Sequence, residues 1–432
     1  MQTLIKGARL LDPGNIDGKK GIFIKDHLIE AIVDPDDIET KTYIETRSDT
    51  KIIDAKGMIV VPGLIDIHVH LREPGQEYKE TIKSGLLASA RGGFTGVCSM
   101  PNTNPVNDNR QVTKFIINRS KELGLSKVYP TGAITRGSLG NTLAEIYDMQ
   151  KAGIVAVTDD GKPIENANMM RRAMEYCKGL NIPVFVHAEE LSLVDGGSMN
   201  EGPFATFWGI KGIPNAAESI MVARDIALCE LTGASVHFCH VSTKESVEAI
   251  RQAKKRKINI TCETAPHYFT LTDADVKDYD TNFKMNPPLR SEEDRLAIIC
   301  GLSDGTIDLI ASDHAPHSVV EKDVEFDMAA FGIIGLETSL PLSLKLFHDK
   351  FLTLEELINK MSKNPAKIIG INNDIKPGNL ADLTIIDPDV AYEINPESFK
   401  SKSKNSPFSG MKVKGRVFLT MVNGKVVYLN GK

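Results

Sequence analysis

Along the middle of the chain, short runs dense in Val, Ile and Phe alternate with longer stretches whose apolar residues recur every three to four positions. The short runs MIVVPGLIDIHVH, FTGVCSMPN, KVYPTGAIT, IVAVTDD, PVFVHAEE, SVHFCHVS, INITCETAP and IDLIASDHAP predict eight strands. Between them, ETIKSGLLASARGG, NMMRRAMEYCKG and SIMVARDIALCELTG carry the periodicity of amphipathic helices. Strict alternation argues for a parallel sheet, and eight units argue for closure into a (β/α)8 barrel of the TIM type, whose functional groups gather at the C-terminal strand ends. The rival is an open doubly wound sheet, ranked second because no GxGxxG turn follows an early strand.

The two ends have a different texture. From Thr3 to about Ile53, TLIKGARLL, GIFIKD and LIEAIV are broken by Pro13, Gly14, Gly18 and the run Asp34 to Asp37, a pattern of short strands and tight turns. ADLTIID, GRVFLTMVNG and KVVYLNG near the C-terminus alternate apolar residues and close on Asn-Gly turns. Each end alone would expose a sheet face, so the two are expected to pair into one flanking sheet. This divides the chain into residues 1–57 and 371–432, the two parts of a small flanking β domain, and residues 58–370, the barrel.

Composition narrows the partners. The 432 residues carry a net charge of −6 with Lys and Arg scattered, which argues against a nucleic-acid groove and against a polybasic membrane patch. No apolar run approaches the roughly 20 residues needed to span a bilayer, and MQTLIKGARL lacks the layout of a signal peptide, so a cytoplasmic location is expected. Cys98, Cys177, Cys229, Cys239, Cys262 and Cys300 show no CxxC spacing; they suit reduced thiols in a core and make poor zinc ligands.

The chemistry sits on strand ends. In IDIHVHLREPG, strand alternation places Asp66, His68 and His70 on one side and Ile65, Ile67 and Val69 on the other, and Arg72 follows with a guanidinium suited to a carboxylate. An isolated His-x-His pair is equally well two polar residues on a half-exposed strand. However, every histidine except His27 and His348 lies in or just after a predicted strand. Asp159 and Asp160, His187, His240, Asp313 and His317 thus join His68 and His70 as a donor set for a divalent ion such as Zn²⁺. His237 and His240 differ in parity, which favours His240 as the inward residue and makes His237 a packing residue. Asp160 is favoured over Asp159 because it lies nearer the mouth. His267 either lines the mouth or packs, and His314 alternates away from Asp313. Asp313 at a metal could accept and pass on a proton, although a lone Asp there could also cap the next helix. The Gly- and Asn-rich run from Asp195 to Asn215 is either a mobile mouth segment or an ordinary surface loop.

Taken together, HVHLREPG, MPNT, TDDG, VHAEE, CHVST, MNPPLR, SDHAPH and FGIIGLET resemble the dihydroorotases of the cyclic amidohydrolase superfamily over nearly the whole chain. The resemblance implies interconversion of N-carbamoyl-L-aspartate and L-dihydroorotate in de novo pyrimidine biosynthesis. It also implies two Zn²⁺ ions per subunit, bridged by Asp160 and a hydroxide. His68 and His70 match one ion's pair and His187 and His240 the other's. Asp313 matches a catalytic carboxylate that also touches metal and shuttles a proton to the departing ring nitrogen. Some branches bridge with a carboxylated lysine, and here Lys162 is the nearest lysine. His70, Arg72, Asn102, Asn286, His317 and the backbone of Phe331 and Gly332 match groups that hold substrate. Tyr268 in TAPHYF departs from relatives that carry a second His there. Because cyclisation consumes a proton, acid is expected to favour the ring. The implied partners are the small-molecule substrate, a second copy of the chain and an aspartate carbamoyltransferase. The alternatives are an allantoinase or dihydropyrimidinase, the latter disfavoured because its uncharged ring gives Arg72 nothing to grip, and a silent homologue that scaffolds a carbamoyltransferase.

Overall fold

The computed structural model describes residues 2–34 and 50–431. Its centre is a parallel eight-stranded sheet of β1 (Leu64–Val69), β2 (Phe94–Ser99), β3 (Lys127–Gly132), β4 (Ala156–Val157), β5 (Val184–Val186), β6 (Val236–Phe238), β7 (Ile260–Thr264) and β8 (Leu309–Ile310), paired in chain order. The chain beyond β8 turns the sheet into a near-closed barrel: Val69 bridges His314 in parallel, and the His70 amide donates to the His314 carbonyl at 2.9 Å.

Several helices between strands begin where the sequence supplies caps. For α1 (Ile82–Arg91), the Thr81 hydroxyl accepts from the Ser84 amide, and Ser84 returns the bond to the Thr81 amide. For α2 (Arg110–Leu123), Asn109 caps the start and Gly124 ends the helix in the left-handed conformation at φ 61°. Val69, Val97, Val157, Val184, Val236 and Ile310 of the strands pack with Leu86, Ile116, Met174, Val222 and Ile250 of the helices into the main core. A second cluster, with Ile65, Ile67, Cys98, Ala156, Phe185 and Leu309, is closed off by Ala366 and Ile369.

Two sequence expectations about the first barrel strand are corrected. MIVVPGLIDIHVH is two strands: Ile59–Pro62 belongs to a flanking sheet, and Leu64–Val69 enters the barrel. Gly63 makes the transfer feasible, since a Cβ there would overlap the Thr95 side chain. Strict alternation also fails. Pairing with β2 shifts register between Leu64 and Ile65 and again between Asp66 and Val69, so Ile67 and Val69 fall in different clusters.

The chain ends do pair, but into two sheets rather than one. A six-stranded sheet joins Arg9–Asp12, Ile16–Lys19 and Ile59–Pro62 to Leu383–Glu393, Lys412–Val422 and Lys425–Leu429, with Ile59–Pro62 against Leu383–Glu393 at the junction. A four-stranded sheet uses Gln2–Lys6, Gly21–Lys25, Leu28–Val33 and Thr50–Asp54. Ile5, Ile22 and Ile24 of the smaller sheet share one core with Leu10, Val60, Leu383 and Leu419 of the larger, because each sheet has an apolar face to cover. The turn expected at Asp34 to Asp37 lies, beyond Asp34, outside the described residues. The Asp195 to Asn215 run is an ordered excursion with Met199–Asn200 paired to Gly212–Ile213. It is pinned by the buried Asn200, whose amide donates to Asp273 at 2.8 Å and whose carbonyl accepts from Arg290 at 3.1 Å. Five cysteines are buried as expected, while Cys300 is exposed.

Candidate active site

At the C-terminal mouth of the barrel the strand ends bring six polar side chains into contact. His68 comes from β1, His70 from just beyond it, Asp160 from the turn after β4, and His187, His240 and Asp313 from beyond β5, β6 and β8. Asp160 is central. Its oxygens lie 3.3 Å from His68 Nε2, 3.4 Å from His70 Nε2, 3.7 Å from His240 Nε2 and 3.8 Å from His187 Nδ1. Asp313 approaches only the first pair, at 3.5 Å from His68 and 3.6 Å from His70.

Acceptors behind the imidazoles aim them inward. His68 donates Nδ1–H to Glu263 at 2.6 Å, leaving Nε2 toward the centre. His70 Nδ1 meets the Asn102 side-chain oxygen at 2.8 Å, which turns the Asn102 amide donors outward. His187 Nε2 meets Glu189 at 3.3 Å, leaving Nδ1 to converge on His240 Nε2 at 2.8 Å. Glu189 is itself hydrogen-bonded by Asn286. Holding the outer nitrogen in this way selects the tautomer whose lone pair faces a metal.

The carboxylates and imidazoles of the cluster also shift one another's charge. Burial alone would raise the Asp160 and Asp313 carboxyls, but the surrounding histidines, His68 foremost, hold both well below the usual carboxylate range. Burial opposes charge on His68 as well, and Asp160 and Asp313 overcome it to raise that imidazole. Glu263 is pulled down to about 2, where His237 and His68 outweigh its burial.

These residues fit a divalent ion. His68 Nε2 and Asp160 Oδ1 are buried and hydrogen-bonded to nothing, although an unsatisfied buried polar atom costs on the order of 1–3 kcal/mol. The ligand atoms of His68, Asp160 and His240, and those of His68, His70 and Asp313, fall within 4.8 Å of one another. Cys239 lies against His68 and Glu263, but burial pushes its thiol up, and a neutral thiol is a poor ligand. Lys162 is exposed.

The rim is built from loops. Arg72 has φ 62° and is 7% exposed, with Nε donating to the Pro316 carbonyl at 3.2 Å and a terminal nitrogen 3.3 Å from His317 Nε2. Burial draws its pKa down to about 10, so it remains charged at neutral pH. His317 donates Nε2–H to the Phe331 carbonyl at 2.8 Å. Burial, aided by Arg72, pushes its pKa down to about 3 and keeps the ring neutral. Asp159 turns away from the centre and accepts the Ile134 and Thr135 amides at 2.8 and 3.1 Å. His314 is braced between Glu80 at 3.4 Å and the Gly335 amide at 3.2 Å. His267 is buried against the Tyr268 ring, and Tyr268 donates to the Pro287 carbonyl at 2.7 Å.

The parity argument about His237 is corrected. Strand β6 ends at Phe238 and His240 has φ 34°, so alternation does not run from one histidine to the other. Both reach inward, His237 contacting Glu263 at 3.1 Å. Glu263 itself was missed. Its signal was a carboxylate in an otherwise apolar and hydroxylic strand, INITCETAP, with no turn to place it at the surface.

Residues 57–246 match the model of the dihydro-orotase-like family. The chain is 63% identical over 428 residues to a dihydroorotase of Desulforapulum autotrophicum, an alignment covering 99% of each. It is 53% identical over 430 residues to one of Geotalea daltonii, again covering 99% of each. Among solved structures, an L-hydantoinase (dihydropyrimidinase) from Arthrobacter aurescens superimposes with a TM-score of 0.87 at 28% identity, covering 100% of this chain and 96% of that one. Dihydropyrimidinase from Brevibacillus agri shares the fold, with a TM-score of 0.84 at 21% identity and the same coverage.

Proposed function

The chain belongs to the dihydroorotase family, and we propose that its mouth cluster carries out the family reaction, the reversible cyclisation of N-carbamoyl-L-aspartate to L-dihydroorotate in pyrimidine biosynthesis. One observation carries the assignment of residues: the Asp160 carboxylate lies within 3.8 Å of a ring nitrogen of all four histidines. A carboxylate so placed would suit a ligand shared between two ions.

In this reading His68 and His70 would hold one Zn²⁺ and His187 and His240 a second, Asp160 would be shared by both sets, and Asp313 would join the first pair. Bound metal polarises an amide carbonyl and makes water nucleophilic near neutral pH. The protein's own groups do the rest. Arg72 and the Asn102 side-chain amide would receive the substrate's α-carboxylate, and His317 would join them by turning its Nε2–H from the Phe331 carbonyl, with Asn286 and the Phe331 and Gly332 backbone along the ring; His70 would reach substrate as well as metal. Holding the carboxylate sets the angle at which the ring amide meets the histidine cluster. Asp313, which lies 3.5 Å from His68 and 3.6 Å from His70, can take a proton and deliver it to the ring nitrogen as the amide opens. Closure uses the same transfer in reverse.

The proposal places this chemistry in the 58–370 unit and the protein in the cytoplasm, where six unpaired thiols are at home. Among the described residues no helix is long and apolar enough to cross a membrane. Self-association and docking to an aspartate carbamoyltransferase belong to the same reading.

Assays of dihydroorotate, dihydrouracil and allantoin with wild type and Arg72→Ala test the substrate. The wild type is expected to turn over dihydroorotate and not the uncharged ring. Arg72→Ala should raise KM for dihydroorotate about 10- to 100-fold, the worth of a charge-assisted pair, at unchanged metal content. Equal wild-type activity on dihydrouracil would overturn the assignment.

A further inference from the structure

Lys322 ends the short helix Val319–Lys322 and is 6% exposed. Its ammonium donates to three main-chain carbonyls: Ala330 at 2.8 Å, Gly332 at 3.1 Å and Lys284 at 3.2 Å. The ammonium form has three N–H donors and this set uses all of them, while burial, with Lys284 nearby, draws the pKa of the group down to about 7. The partners flank Phe331 on both sides and lie two residues before Asn286. None of them is in a barrel strand.

We propose that Lys322 is a positioning residue for substrate: its buried ammonium, bonded to three carbonyls, fixes the Phe331–Gly332 backbone against His317 and the Asn286 segment. The inference rests on the reading above that these groups receive substrate.

The surrounding bonds show what depends on it. The Gly332 amide donates to the Lys284 carbonyl at 3.0 Å, the oxygen Lys322 also holds. The Gly332 carbonyl is shared with the Asn405 amide at 3.1 Å, and the Asn405 side-chain oxygen accepts the His317 amide at 3.2 Å. The Phe331 carbonyl accepts His317 Nε2–H, so a shift of this segment moves the imidazole that faces Arg72. On the far side, the Lys284 ammonium lies 4.3 Å from the centre of the Phe331 ring and donates to the Asp327 carbonyl at 2.8 Å. A neutral side chain of similar length would fill the space without the cost of burying a charge. It could not supply three donors to carbonyl oxygens that point at one another.

The test pairs kinetics with amide hydrogen exchange on the metal-loaded enzyme, comparing wild type with Lys322→Met. Faster exchange in the peptide spanning residues 326–336 is expected. So is a rise in KM for dihydroorotate on the order of tenfold or more, from lost charge-assisted bonds, with kcat and metal content within about twofold. Unchanged exchange would overturn the role of Lys322. Faster exchange with unchanged KM would instead overturn the substrate role of the Phe331–Gly332 backbone, and a parallel fall in kcat and metal content would show a general structural role. Should Lys322→Met fail to fold, Lys322→Gln, which keeps two N–H donors without the charge, is measured against the same outcomes.

Discussion

The centre of the mouth and its rim are built on different principles. In the centre, the donor atoms sit in or up to three residues beyond the strand ends, and each of three histidines is backed by a side-chain acceptor: Glu263, Asn102 or Glu189. On the rim, Arg72 and His317 sit on loops and are steadied by main-chain carbonyls, those of Pro316 and Phe331. Strand ends of a barrel can hardly move, so they suit groups that must converge within a few tenths of an ångström. Loops can be rewritten without disturbing the barrel, so they suit groups that choose the substrate.

If that division holds, substitutions on the two sides should fail in different ways. The largest effect belongs to Asp313→Asn, which keeps size and a ligand oxygen but cannot carry the proton: kcat is expected to fall on the order of 10³-fold with KM nearly unchanged. Retained turnover would take the proton transfer away from Asp313. Next is Glu263→Gln, which weakens the hold on the His68 tautomer and should lower metal affinity about 10- to 100-fold in a chelator titration. Arg72→Ala should leave that titration unmoved, and parallel losses in the two variants would erase the distinction between centre and rim.

A further effect, on stability rather than on catalysis, concerns a histidine that belongs to neither set. Burial pushes the His267 pKa from 6.5 down to about 4. A base depressed by folding contributes its full stability above pH 6.5 and loses it as pH falls toward 4, because in that window only the unfolded chain takes up the proton. His267→Phe should therefore gain about 3 kcal/mol relative to wild type between pH 7 and pH 4 in denaturant unfolding. Parallel pH curves would mean that His267 is protonated while buried.

Much of the architecture could be read from hydrophobic spacing, since the eight strand runs and the helical intervals between them are the barrel itself. The six central side chains were also legible, because strand ends of a barrel converge whatever the details. What eluded the sequence were deviations from regular geometry. Gly63 passes the chain from one sheet to another, register shifts in β1 separate Ile67 from Val69, and the backbone at His240 leaves the strand. Each breaks the period-two rule that local pattern reading assumes. Glu263 and Lys322 escaped for another reason. Their partners lie 195 residues away at His68, and 38 and 10 residues away at Lys284 and Gly332, and no local pattern marks such distances.

Three of the residues assigned to chemistry, Arg72, His240 and Asp313, hold φ values of 62°, 34° and 48°, in the region where a side chain is tolerated least well. At these positions folding and catalysis rank the amino acids in opposite order. Glycine or asparagine would relax the backbone, and either would discard the guanidinium, the imidazole or the carboxylate. A screen for thermal stability alone would therefore be drawn toward the substitutions that empty the site, and stabilisation of this enzyme has to leave positions 72, 240 and 313 out of the search.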